Sequence, residues 1–145
     1  MRALVQAEPF DAGALIAGCG AGNPAVGAVA GFAGVVRGGG GLTAMEIEHY
    51  PGMTEAAIEH FAGEAAARFG LLDVAVVHRH GRLEVGETIM AVACAAPHRA
   101  DAFAAAEFLM DWLKSRAPFW KKELGPDGAA WVEARDEDED ALARW

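Results

Sequence analysis

Apolar positions follow two different periods between Met53 and Lys114, and the change of period predicts the main elements. After Pro51-Gly52, the residues Ala57, Ile58, Phe61, Ala65 and Phe69 recur at helical spacing, which predicts a helix capped by Thr54. A second stripe, Phe103, Ala106, Leu109, Met110 and Leu113, predicts a long helix between Arg99 and Lys114 that stops at Ala117-Pro118. Between the two stripes, Asp73 to His80 and Glu87 to Ala96 are near-continuous apolar runs, read as two strands joined through Gly81 and Gly86.

The rest of the chain reads as shorter pieces. Leu4 to Phe10 predicts a first strand, Asp11 a helix cap and Ala12 to Cys19 a small helix. Gly20 to Pro24 is a loop, Ala25 to Val36 a buried strand, Gly38 to Gly41 a mobile glycine loop, and Leu42 to His49 the next strand. Phe119 to Leu124 and Ala129 to Ala134 flank Gly125-Pro126-Asp127-Gly128 and predict a hairpin. Asp136 to Asp140 reads as a solvated face or frayed end. Strands and helices mix without strict alternation, which predicts an α+β fold: a single domain over 1–145, with a largely antiparallel sheet and two main helices.

Composition narrows the functions. A hydrophobic fraction of 53% beside 23% charged residues is that of a folded globule. No run approaches a membrane-spanning length, and the stretch after Met1 lacks the apolar core of a signal peptide, so a cytoplasmic protein is expected. The net charge of -9 argues against nucleic acid, so an anionic ligand must meet a local basic patch. Cys19 and Cys94 stand in no metal or redox spacing and read as small packing residues.

Such a basic patch exists. All three lysines, Lys114, Lys121 and Lys122, fall within nine residues, whereas the arginines run from Arg2 to Arg144. Pro118 bends the chain between the end of the long helix and the following strand, so Lys114 and Lys121 can converge on one pocket. Strand alternation then puts Phe119 with Lys121 on one side and Trp120 with Lys122 on the other. At the opposite end of that helix, His98-Arg99 follows Pro97, where unpaired N–H groups, the helix dipole and a guanidinium suit a phosphate. Arg37 opens the glycine run. His78 and His80, at i and i+2, can share a strand face and suggest a metal pair, although no third ligand stands at a recognisable spacing.

Several segments carry a resemblance. Glu48-His49-Tyr50-Pro51-Gly52-Met53-Thr54, Val77-His78-Arg79 with Gly81, Ala96-Pro97-His98-Arg99, the segment Met110 to Glu123, and Trp131-Val132-Glu133-Ala134 resemble the large, catalytic subunit of molybdopterin synthase in order and spacing. The resemblance implies an α/β-hammerhead-like fold and a sulfurtransferase of molybdenum cofactor biosynthesis that needs no cofactor or metal of its own. It implies a small ubiquitin-like sulfur-carrier partner whose C-terminal Gly-Gly ends in a thiocarboxylate. The implied substrate is cyclic pyranopterin monophosphate (precursor Z), which receives two sulfurs as a dithiolene. It implies a homodimer of large subunits within a heterotetramer. Residue by residue it implies Lys121 and Lys114 as catalytic, with Arg37, His98 and Arg99 completing a substrate-anion site. The glycine run after Arg37 departs from the family's more mixed polar loop.

Two other readings stand beside it. A non-catalytic module can bind a Gly-Gly tail or another anionic ligand through the same basic pocket, and would tolerate arginine at Lys114 and Lys121. A metal-dependent hydrolase would use His78, His80 and a carboxylate.

Overall fold

The computed structural model describes residues 1–132 and 135–145. Two four-stranded sheets divide the strands. The first has the order β1-β4-β6-β2, formed by β1 (Arg2–Gln6), β4 (Asp73–Arg79), β6 (Thr88–Ala96) and β2 (Ala28–Val35). The second, β5-β3-β7-β8, comprises β5 (Gly81–Glu84), β3 (Ala44–His49), β7 (Phe119–Gly125) and β8 (Gly128–Trp131). Only the β1–β4 pair is parallel, so the expected α+β architecture with largely antiparallel pairing is the one observed.

The apolar runs of β4 and β6 have a structural cause, because both faces of these central strands are covered. On one face Val74, Val76, Val92 and Cys94 pack against Ile58, Phe61, Phe108 and Leu109 of the two long helices, α2 (Met53–Phe69) and α3 (Arg99–Arg116). On the other face Ala75, Ala91, Ala93 and Ala95 receive Leu15 of the short helix α1 (Ala12–Gly18). A strand buried on both faces loses its polar alternation. The small side chains let α1 approach closely, and a Cβ at Gly31 would sit 2.4 Å from Ile16.

Several local expectations are corrected. The first strand ends at Gln6 rather than Phe10, since it runs only as far as its parallel register with β4. Gly52, with φ 84°, caps α2, and its N–H donates to Glu55. Thr54 lies inside the first turn instead, where its hydroxyl donates to the carbonyl of Tyr50 and accepts from that residue's N–H. The long helix continues to Arg116, and Phe103 is not on its buried stripe: it is 66% exposed, while Ala102, Ala105 and Phe108 face the core. The link between the two central strands holds the extra strand β5, which carries the chain into the second sheet at Gly81 (φ 91°).

The glycine loop before β3 is not a bare connection. Gly41, at φ 79°, packs on Pro126 of the β7–β8 turn, and Thr43 bonds the carbonyl of Leu124 through both its N–H and its hydroxyl. The expected hairpin forms with Pro126-Asp127 at its tip; of its second strand, Gly128–Trp131 is a strand, and Glu133 and Ala134 lie outside the described residues. The acidic end forms a helix, α4 (Asp136–Leu142), with mostly solvated side chains, but it is not frayed. Arg116 grips Glu139 through two bonds, Arg144 reaches Glu107 and Asp111, and Trp145 packs on Phe69 and Phe108. Among the described residues no helix is long and apolar enough to cross a membrane.

Candidate active site

The last turn of α3 and the first half of β7 meet at a cavity of about 170 Å³ lined by His78, Leu113, Lys114, Phe119, Lys121 and Asp138, with Arg135 at its rim. Each lysine arrives for a local reason. Lys114 stands in the basic last turn of α3, where positive charge suits the helix dipole. Ala117 is extended (φ -74°, ψ 134°), as the residue before a proline must be, and it redirects the chain into β7. Antiparallel pairing with β3, in the register His49↔Phe119 and Ile47↔Lys121, then turns Phe119 and Lys121 inward together. Trp120 and Lys122 face the other way, with Trp120 against Tyr50 and the Lys122 ammonium 4.4 Å from the Trp131 ring centroid. The predicted split of the strand's two faces holds.

Electrostatics sets the two lysines apart from the rest of an acidic chain. Burial pushes the Lys121 ammonium below the ordinary lysine range, and the nearby charge of Lys114 acts in the same direction, while the Asp138 carboxylate opposes both. An amine with a lowered pKa beside a second cation can give or take a proton nearer neutrality, and the pair attracts a carboxylate-like or phosphate-like group. Burial also drives the His78 imidazole down to about 3, so it stays neutral in the fold.

The cysteines take no part. Burial first, and Asp73 second, raise the Cys19 thiol to about 11; burial raises Cys94 to about 12, as inert packing residues require.

The other expected site residues stand elsewhere. Arg99 is the first residue of α3 and Lys114 the sixteenth, a separation of roughly 22 Å at the helical rise. His98 and Arg99 are solvent-exposed there. Arg37 lies nearer the lysines, because the pairings Gly34↔Met90 and Met90↔His78 place the end of β2 at the same end of the sheet as His78. It too is exposed. One chain therefore brings together Lys114 and Lys121, sets Arg37 at the same end of the sheet, and leaves His98 and Arg99 at the opposite end.

The histidine pair does not support a metal. The His78 ring stacks on Phe119 at 3.7 Å and the His80 ring lies 4.5 Å from His49; among the described residues no group of three or more His, Cys, Asp or Glu could hold an ion. Residue patterns alone missed Arg135 and Asp138. Their only signal is that Arg135 is a lone cation leading an acidic run, and nothing in the spacing says that the run folds back over the lysines.

Fold and cavity together define an α+β protein with a desolvated lysine, Lys121, and an exposed one, Lys114, lining one pocket. A family model described as MoaE protein matches residues 5–116, and the chain belongs to that family. A relative from Cereibacter sphaeroides, called molybdopterin synthase catalytic subunit, is 61% identical with 100% of both chains covered. Among solved structures, the molybdopterin biosynthesis MoaE protein from Burkholderia ambifaria has a TM-score of 0.84 at 53% identity, covering 100% of this chain and 98% of that one. A protein-protein complex of subunits 1 and 2 of molybdopterin-converting factor from Helicobacter pylori shares the fold, with a TM-score of 0.75 at 20% identity over 91% of each chain.

Proposed function

We propose that this chain is the catalytic subunit of a molybdopterin synthase, working in the cytoplasm on precursor Z with a small sulfur-carrier partner. The observation that carries the reading is the convergence of Lys114 and Lys121 on one half-buried cavity, with Lys121 held below its ordinary pKa. The partner's C-terminal Gly-Gly thiocarboxylate enters beside the lysines. Its sulfur forms a C–S bond to a side-chain carbon of the pterin as the C–O bond at that carbon breaks, the oxygen leaving on the phosphate or as water. Water then cleaves the acyl–sulfur bond, the sulfur stays on the pterin as a thiol, and the partner leaves as a carboxylate. A second loaded partner supplies the second sulfur. Lys121 transfers the proton or stabilises the developing oxyanion, and Lys114 orients the acyl end. A binding module would need the charge but not the lowered pKa, which favours the enzyme reading.

Because His98 and Arg99 stand roughly 22 Å from Lys114 in one chain, the phosphate they hold must belong to the site of a second copy. The outer strand β2 offers the means. Among the described residues it is an unpaired sheet edge, with Val29, Phe32 and Val35 exposed. Two such edges set antiparallel about a two-fold axis bring Ala28 of one copy, and with it the paired end of β6 that leads into His98, toward Arg37 of the other.

The test mixes the purified protein with precursor Z and a thiocarboxylated partner and follows molybdopterin by the fluorescence of its oxidised form. Product that vanishes with Lys121→Ala is expected; complex without product overturns the catalytic reading in favour of a binding module. Mixing Lys121→Ala with Arg99→Ala chains, each impaired alone, restores parent-like KM and turnover together in about a quarter of sites if the two residues serve one site from two copies, and in none if they act within one chain.

A further inference from the structure

Thr54 ends the segment Glu48 to Thr54, to which the proposed function gives no task, and its side chain is fully buried. The place it occupies is set by a proline. The Val132 N–H bonds the Lys121 carbonyl, so odd-numbered residues of β7 turn their backbone groups to β8 and even-numbered ones to β3. The register Glu48↔Trp120 and His49↔Phe119 then makes Tyr50↔Pro118 the next rung that would exchange two bonds between β3 and β7. Pro118 has no N–H to give, so a regular rung cannot form there. The Thr54 hydroxyl stands in its place. It accepts the Tyr50 N–H at 3.0 Å, donates to the Tyr50 carbonyl at 2.8 Å and reaches the Pro118 carbonyl at 3.4 Å. A hydroxyl is donor and acceptor at once, which a rung that has lost its donor needs.

We propose that Thr54 is a positioning residue for Lys121: its buried hydroxyl bridges Tyr50 to Pro118 and so fixes the point from which β7 delivers Lys121 to the cavity. The lever is short. Lys121 lies three residues beyond Pro118, and the residues on either side of that proline, Ala117 and Phe119, both line the cavity. The Phe119 N–H turns back to the Ala117 carbonyl at 2.8 Å instead of into the sheet, while its ring stacks on His78 at 3.7 Å. The start of β7 thus lacks a regular rung, and the hydroxyl ties it to β3 and to the first turn of α2. Without that tie the end of the strand splays and water reaches Lys121, whose burial is what sets it apart from an ordinary lysine. A misplacement of about 1 Å is enough to cost a reaction roughly 10²-fold. The inference rests on the synthase reading for its catalytic meaning but not for its test, which needs neither substrate nor partner.

The chain has one tyrosine and three lysines. Tyrosine- and lysine-selective isotope labelling therefore gives one backbone amide signal, that of Tyr50, and three side-chain amine signals, assigned through Lys114→Arg and Lys122→Arg. In Thr54→Val, which keeps the shape and loses the hydroxyl, the Tyr50 amide exchanges with solvent about tenfold faster than in the parent or more. The Lys121 midpoint, titrated by NMR, moves up in that variant toward the ordinary lysine range. Thr54→Ser keeps the hydroxyl and holds both readings near the parent's. A Lys121 midpoint that does not rise in a folded Thr54→Val chain, or that rises equally in Thr54→Ser, overturns the proposal. The parent decides independently of any variant's folding: a Tyr50 amide that exchanges as fast as one in an exposed loop sinks it as well.

Discussion

The two ends of α3 hold their positive charges in different surroundings. At its C-terminus, exposed Lys114 is joined by Lys121 from another element, walled by His78 and Phe119 and roofed by the α4 segment, so the Lys121 charge is desolvated and also feels Lys114. At its N-terminus, His98 caps the helix without a side-chain bond and Arg99 extends into solvent, where water screens its charge. In the proposed function the first end carries the chemistry with residues of its own chain. In the same proposal the second end is a grip that gains strength only when another surface covers it, so that the two ends take different parts of one substrate.

The contrast predicts effects of graded size. Lys121→Ala removes the proton-handling group and lowers turnover by roughly 10²- to 10⁴-fold, with unchanged far-ultraviolet circular dichroism; a variant with near-parent turnover erases the distinction between the ends. Arg99→Ala weakens a grip rather than the chemistry, so KM rises by about tenfold or more while kcat changes less; an equal fall in kcat with unchanged KM places Arg99 in the chemical step.

Acid treatment probes the enclosed end through His78. Its folded pKa is about 3 against an ordinary 6.5, so the unfolded chain takes up a proton that the fold refuses. The stability from the neutral ring is complete above about 6.5 and is lost as pH falls toward 3, by at most about 1.4 kcal/mol per pH unit. Denaturant unfolding across this range shows a steeper acid loss in the parent than in His78→Phe; parallel curves contradict the burial of the ring. The smallest effect belongs to the roof. Arg116→Ala breaks an exposed ion pair to Glu139, which solvent screens, so the midpoint of thermal unfolding hardly moves, whereas Asp138→Asn removes the charge that opposes burial and moves the Lys121 midpoint further down.

Much of this was legible before any coordinates. The apolar runs of β4 and β6 announced strands covered on both faces, Pro118 marked the bend that aims Lys121, and the lysine cluster marked the cavity. Other features had no local signal. Strand β5 contains one apolar residue, Leu83, between Arg82 and Glu84, and it exists because β3 offers it a partner. Phe103 satisfies the helical period yet faces outward, since which part of a broad apolar stripe is covered depends on where β2 and α2 lie. The acidic end looks solvated because its charges are; its docking comes from Trp145 and from the arginines that hold Glu139, Glu107 and Asp111.

The sequence by itself determined the period of the main elements, the chemistry available in them and the two clusters of basic side chains at either end of α3, because these depend on side-chain identity and spacing along a few turns or one strand. Only the tertiary structure decided that Lys121 is desolvated beside Lys114, that His78 and Asp138 share its cavity, and that His98 and Arg99 stand a helix length away. Desolvation and Coulomb interactions depend on distance through space and on the exclusion of water, and both arise only when the sheets and helices close on one another.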